Sequence, residues 1–222
     1  MRPRPDARQV SGSRKILGVI ALVASWTLVA GAPASAADCG PVNTQVTGLS
    51  QGQMESSIGC LINDERTSYG LQPVAPNRDL RRAALSHSDE MINQGYFEHT
   101  SPAGLTFIDR IQATGYMRGT RRWEVGENLV WGTGPLSTPQ SLVTSWMNSP
   151  PHRENLLRPT FREIGIAAVA GTPVSSGDPT GVTVSSEYGY RNFGKTKKGR
   201  AKKGKAKRSR AKNARAKHRA RR

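Results

Sequence analysis

From residue 37 to residue 194 the chain contains no lysine, and from 195 to 222 it contains no acid and no large apolar residue. These absences divide a formal charge of +17 very unevenly. Residues 195–222 carry 16 of the 33 Lys and Arg, whereas 37–194 set 12 Arg against 15 Asp and Glu, a net of −3. The body is therefore mildly acidic, and the basic character belongs to the ends. A segment of Lys and Arg alternating with Ala, Gly and Ser cannot bury a core, so 195–222 is expected to be a disordered basic tail.

Cysteine is scarce as well. The only two, Cys39 and Cys60, fit no zinc-ligand spacing. Long apolar runs are limited to one, Ile16 to Ala30, which follows Arg14-Lys15 and precedes Ala34-Ser35-Ala36. It is shorter than the ~20 residues that span a bilayer. Basic start, short apolar run and small-x-small site together read as an export signal over 1–36, leaving no transmembrane helix in the mature protein. Asp38 before Cys39 argues against lipid attachment at that cysteine. In an exported chain, an even pair of cysteines reads as a disulfide, here closing a loop of about 20 residues. Such a bridge contributes ~3 kcal/mol by restricting the unfolded chain.

Strand signals are sparse before residue 160. Residues 37–54 form a Gly, Pro, Thr and Gln-rich N-terminal arm, and 55–194 form one domain. Apolar residues at helical spacing predict a first helix through Met54, Ile58, Leu61 and Ile62, ending at Tyr69-Gly70, and a second from Asn77 to Gln94. A short third helix runs from Phe107 to about Gly115, with Ser101-Pro102 read as helix-start geometry. A fourth starts at Thr138-Pro139 and is broken by Pro150-Pro151. Residues 163–170 and 182–188 read as a late hairpin, with a weaker strand near Trp123–Trp131. No βαβ repeat is visible, so the expected class is α+β rather than α/β.

What the chain does contain is three compact phrases with metal-ligating or proton-moving side chains: Phe97-x-His99-x-Ser101-Pro102-x-Gly104, Gly126-Glu127-Asn128-Leu129, and Trp146-x-x-Ser149-Pro150-x-His152-Arg153-x-Asn155-Leu156-Leu157. With Ile164-Gly165 and Asn192-Phe193-Gly194 following in order, the pattern resembles the CAP superfamily. This is the cysteine-rich secretory protein, antigen 5 and pathogenesis-related group, also called SCP domains, here in its bacterial secreted form. The resemblance implies an α-β-α sandwich with a central antiparallel sheet and a cavity where histidines and acids converge. Some members hold zinc or another divalent ion there, and some eukaryotic members bind sterols or lipids. By motif, His99, Glu127 and His152 are the cavity residues and the possible metal ligands. Many eukaryotic members carry a further acid shortly after the helix tryptophan, but Met147, Asn148 and Ser149 follow Trp146, so only a His-Glu-His trio is expected.

Two imidazoles and one carboxylate suit an open zinc site or a small-ligand site. No Ser or Cys stands in an activating motif, so the residues do not support catalysis; a metal-dependent hydrolase acting on peptide or envelope material is the competing enzyme reading. His87, in the apolar stripe of the second helix, is expected to be a packed histidine bonded to a backbone carbonyl. Glu98 and Glu124 are read as solvated surface acids, Arg153 and Asn155 as braces of the His152 turn, and Trp123, Trp131 and Trp146 as core or cavity wall. The tail's expected partners are anionic cell-envelope polymers or extracellular nucleic acid, bound by phosphate neutralisation. The expected location is extracellular or cell-wall associated.

Overall fold

Ser50 opens the first helix with a capping box: its hydroxyl accepts from the Gln53 N–H, and the Gln53 side chain accepts from the Ser50 N–H. Helix α1 (Gln51–Ser68) then turns Met54, Ile58 and Ile62 inward. It begins four residues before the expected domain boundary. The computed structural model describes residues 38–175, 178 and 180–194. The export signal and the basic tail lie outside the described residues.

Strand β1 (Ala75–Pro76) leads into α2 (Arg78–Gln94), capped by the Asn77 side chain at the N–H groups of Asp79 and Leu80. Helix α3 (Phe107–Ala113) is capped by Thr106 in a second capping box with Asp109. This corrects the expectation for Ser101-Pro102. The Ser101 hydroxyl accepts from the Leu105 N–H, within the loop that precedes α3.

The weakest sequence signal produces one of the two longest strands, β2 (Arg122–Thr133). Helices α4 (Pro139–Asn148) and α5 (Pro150–Leu156) follow, each with proline in its first turn, where no N–H is required. Strands β3 (Glu163–Ala170) and β4 (Gly181–Asn192) close the domain. The sheet order is β1-β3-β4-β2, antiparallel except for the two-residue parallel pairing of β1 with β3. The class is α+β, as the sequence indicates.

Side-chain parity on the strands separates two packed layers. Even-numbered Ile164, Ile166, Ala168, Val182, Val184 and Tyr188 meet α1, α4 and α5, with Trp146 wholly buried among them. The opposite face receives α2 and α3 through Leu80, Ala83, Ile111 and Tyr116. Here α2 lies directly on β3 at Gly165, where a β-carbon would run into the backbone of Leu80 and Arg81.

Arg66, fully buried near the end of α1, donates to the carbonyls of Gln72, Leu156, Arg158 and Phe161. It thereby fixes the segment joining α5 to β3, and with it the base of the His152 helix. Cys39 and Cys60 are joined, tying the N-terminal arm to α1 across a Cα separation of 5.4 Å. Of the tryptophans assigned to core or cavity wall, only Trp146 is interior. Trp123 and Trp131 lie on the edge strand β2 and keep 45% and 38% of their surface exposed. No described helix is long and apolar enough to cross a membrane.

Candidate functional site

Glu127 occupies the middle of β2 with its side chain on the α2–α3 face and no side-chain exposure. A buried carboxylate is costly unless paired, and this one is paired twice. His99 Nδ1 lies 2.7 Å from Oε1, and the Arg110 guanidinium donates to Oε2 at 2.6 Å. His99 comes from the loop after α2, and Arg110 from α3. Arg110 also donates to the His99 and Leu105 carbonyls, so one guanidinium fixes both the acid and the loop carrying its histidine.

His87 forms the floor. It is fully buried, its Nε2 donates to the Glu98 carbonyl at 2.9 Å, and Nδ1 faces the Tyr96 hydroxyl at 3.4 Å. That arrangement is the packed, carbonyl-bonded histidine expected from its stripe. Nε2 is 3.9 Å from Glu127 Oε2, so His87 contributes to the field around the acid without direct bonding. Burial pushes its pKa down and keeps it neutral, against the pull of Glu127.

Directly across the β2–β4 ladder stands Glu187, also wholly buried. Neither of its carboxyl oxygens has an N–H or hydroxyl partner among the described residues. Burial and the adjacent Glu127 charge raise its pKa well above the usual carboxylate range, so it is held protonated. It therefore stands as the neutral partner of Glu127 across the ladder. Glu127 shifts the opposite way. Burial works against its ionised form, but His99, Glu187 and Arg110 outweigh it and keep the pKa low.

The charge on Glu127 sets the histidines apart. Its hydrogen bond raises the pKa of His99 despite partial burial, and the His99 side chain remains 52% exposed. With Nδ1 committed to the carboxylate, the imidazolium form presents its Nε2–H outward. His152 is lowered by burial and by the positive charge of His99. Its Nδ1 pairs with the Ser149 hydroxyl at 2.8 Å.

The sequence-designated trio is therefore distributed over two layers. His99 and Glu127 bond on the α2–α3 side, while His152 reaches the same edge strand from α5. The Asn128 amide donates to the His152 carbonyl, and Asn155 donates to the carbonyl of Glu127 and the side chain of Asn128. Asn155 is thus a brace of this turn, as expected. Gly126 permits the approach, because a β-carbon there would meet the Asn155 side-chain oxygen at 2.8 Å. Arg153 donates to the Met147 carbonyl, and Glu98 is exposed. Glu124 is not merely solvated: it accepts from Arg158 and Thr160.

A resident divalent metal does not fit this donor set as arranged. Both Glu127 oxygens are engaged, one by a guanidinium whose charge opposes a cation beside it. Among the described residues, the group of three potential ligands lying within 4.8 Å of one another is Cys39, Cys60 and Asp64, and its two sulfurs are consumed by the disulfide. Sequence reasoning missed Arg110 and Glu187. An isolated Arg in a helix and a Glu in a strand carry no motif, and the polar run Ser185-Ser186-Glu187 is the one local sign of a polar interior on β4.

The sequence pattern described as CAP, cysteine-rich secretory protein family, matches residues 61–188. The chain is 35% identical over 115 residues to the uncharacterized protein YkwD of Bacillus subtilis (strain 168), covering 52% of this chain and 42% of that protein. It is 28% identical over 114 residues to the uncharacterized membrane protein YlbC of the same strain, covering 50% and 30%. The chain thus spans less than half the length of these curated relatives. Among solved structures, an extracellular protein containing an SCP domain from Bacillus anthracis (strain Ames) superposes with a TM-score of 0.51 at 25% identity, over 62% of this chain and 40% of that one. An outer surface protein from Borrelia burgdorferi gives 0.54 at 20% identity, over 65% and 97%. The matched span contains His99, the buried Glu127 and its partners, and the His152 turn: the chain belongs to the cysteine-rich secretory protein, or CAP, family.

Proposed function

We propose that the protein is an exported binding module that receives a small anionic or hydrogen-bond-accepting ligand at the His99–His152 face and is retained at the cell envelope by its basic tail. The observation that carries this reading is the double engagement of Glu127 by His99 and Arg110. It spends the carboxylate internally and leaves an exposed imidazolium N–H as the group offered to solvent. A ligand oxygen is the natural partner for that donor.

The metal and hydrolase readings are weaker on the same geometry. Ser149 contacts His152, but the site's carboxylate serves the other histidine, so no serine–histidine–acid chain is assembled among the described residues. Zinc titrated calorimetrically into chelator-treated protein is expected to give no heat that depends on both His99 and His152. Inorganic phosphate is expected to shift the ring protons of His99 and His152 at pH 6 more than at pH 8. Zinc binding lost in both His→Ala variants, with phosphate silent, reverses the assignment.

The tail reading rests on charge. Arg118, Arg121 and Arg122 are exposed and have no carboxylate partner among the described residues, and Arg121 lies against Gly194, just before the tail. Polyanion binding by the full chain is expected to weaken steeply with salt and to be lost on deletion of 195–222. Binding that survives both changes removes the tail from the function.

A further inference from the structure

The opposite edge of the sheet holds a feature unrelated to the histidines. The Gly171 N–H bonds to the Gly181 carbonyl, extending a ladder in which odd-numbered residues of β3 bond to β4. Even-numbered residues therefore turn their N–H and C=O groups toward the outer edge. At Ile164 that edge is covered, because the Asn77 N–H donates to its carbonyl at 2.7 Å. At Ala168 the N–H approaches Glu55 Oε1 at 3.4 Å. Between them, Ile166 faces outward with neither group hydrogen-bonded to any described residue.

Open strand edges are normally paired, covered or blocked by charge. Here the edge lies at the bottom of a cavity of about 470 Å³ that Gly59 of α1, Pro76, Arg78 and Ile166 help to line. Helices α1 and α2 belong to opposite layers and meet across the edge through the bidentate Glu55–Arg81 pair, at 2.7 and 2.9 Å. The slot is closed by β1 at one end and by this ion pair at the other. From Ile164 to Ala168 it spans about 13 Å, the length of four extended residues.

We propose that this slot is a docking site for an extended, acid-bearing peptide segment of a partner protein, which adds to β3 at Ile166 and sets its carboxylate on Arg78. The unpaired N–H and C=O of Ile166 offer what a peptide backbone complements by strand addition. Glu55 is neutralised by Arg81, whereas Arg78 is exposed and has no ion pair among the described residues, so the slot carries one uncompensated cation. That charge selects an acidic side chain or a terminal carboxylate and disfavours the chain's own tail, which has 16 Lys and Arg and no acid. The flanking helices admit a single strand and hold off the sheet edge of a second folded copy.

The free protein supplies the first check: by NMR hydrogen exchange of the full chain, the Ile166 amide should exchange at least ~10-fold faster than that of Ala167, which bonds to β4. Equal protection overturns the proposal. The probe is a soluble library of N-acetylated pentapeptides with one Asp or Glu among Val, Ile, Thr, Ser and Ala. Binders are expected to shift and protect the Ile166 amide, to lose binding on N-methylation of their central residue, and to weaken about 10-fold or more against Arg78→Glu, a charge reversal at an exposed site. Gly59→Leu, which projects into the slot, should abolish binding; should that variant fail to fold, Arg78→Glu and the N-methylated peptide still decide. Absence of any library member binding more tightly than about 1 mM, or binding that perturbs His99 and leaves Ile166 unmoved, overturns the proposal.

Discussion

Glu127 and Glu187 face one another across the β2–β4 ladder, both buried, one held ionised and the other held protonated. Like charges at that separation cannot both persist without solvent, and Arg110 and His99 decide which acid keeps its charge.

Glu187→Gln replaces the neutral acid with a near-isostere. The folded-state pKa of Glu187 is raised, so its stabilising contribution is complete below about 4.3, the unfolded value, and is lost as pH rises toward the folded value. Glutamine has no proton to lose. Urea denaturation from pH 4 to 8 should show the variant gaining on the parent by up to ~1.4 kcal/mol per pH unit above the unfolded value. A constant difference across that range would contradict a protonated Glu187.

The two histidines should titrate on opposite sides of the ordinary imidazole value. His99 is raised, so its charged form stabilises the fold below about 6.5 and that contribution fades as pH climbs through its folded value. His152 is lowered by burial first and by the His99 charge second. Proton NMR of His99→Gln should therefore show His152 titrating at higher pH than in the parent, and Glu127→Gln should bring His99 down.

Removing Arg110 strands a buried carboxylate. Arg110→Ala should cost about 3–5 kcal/mol in denaturant unfolding, because Glu127 loses its buried guanidinium partner and the His99 loop loses its anchor. A cost under about 1 kcal/mol would mean that the ion pair is dispensable.

Gly165→Ala tests the seat of α2 on β3. Even one methyl group collides there with the backbone of Leu80 and Arg81, which no rotamer change relieves. A loss of about 2–3 kcal/mol is expected, near the top of the usual overpacking range, read from the denaturant midpoint.

Cys39→Ser should lower stability by ~3 kcal/mol without moving the His99 and His152 titrations, since the bridge restrains the arm and α1 far from β2. Reduction of the parent protein should reproduce the loss.

The first four helices were legible in the order of residues, because their signals are local. Asn77 and Thr138-Pro139 mark helix starts through hydrogen bonds and φ restrictions that span four residues or fewer, whereas Pro150-Pro151 reads as a break, and the structure opens α5 there. The family, the disulfide partners and the pairing of His87 with a carbonyl were legible too. Strand β2 was only faintly so, since Gly126, Glu127 and Asn128 interrupt its apolar pattern at the point where the site is built. The electrostatics, by contrast, arise from packing. Arg110 and Glu187 reach Glu127 from sequence separations of 17 and 60 residues, brought there by the seating of α3 and the ladder register of β4. The protonation state of each group follows from burial and from which neighbour stands within a few ångströms, and neither quantity is written in the order of residues along the chain.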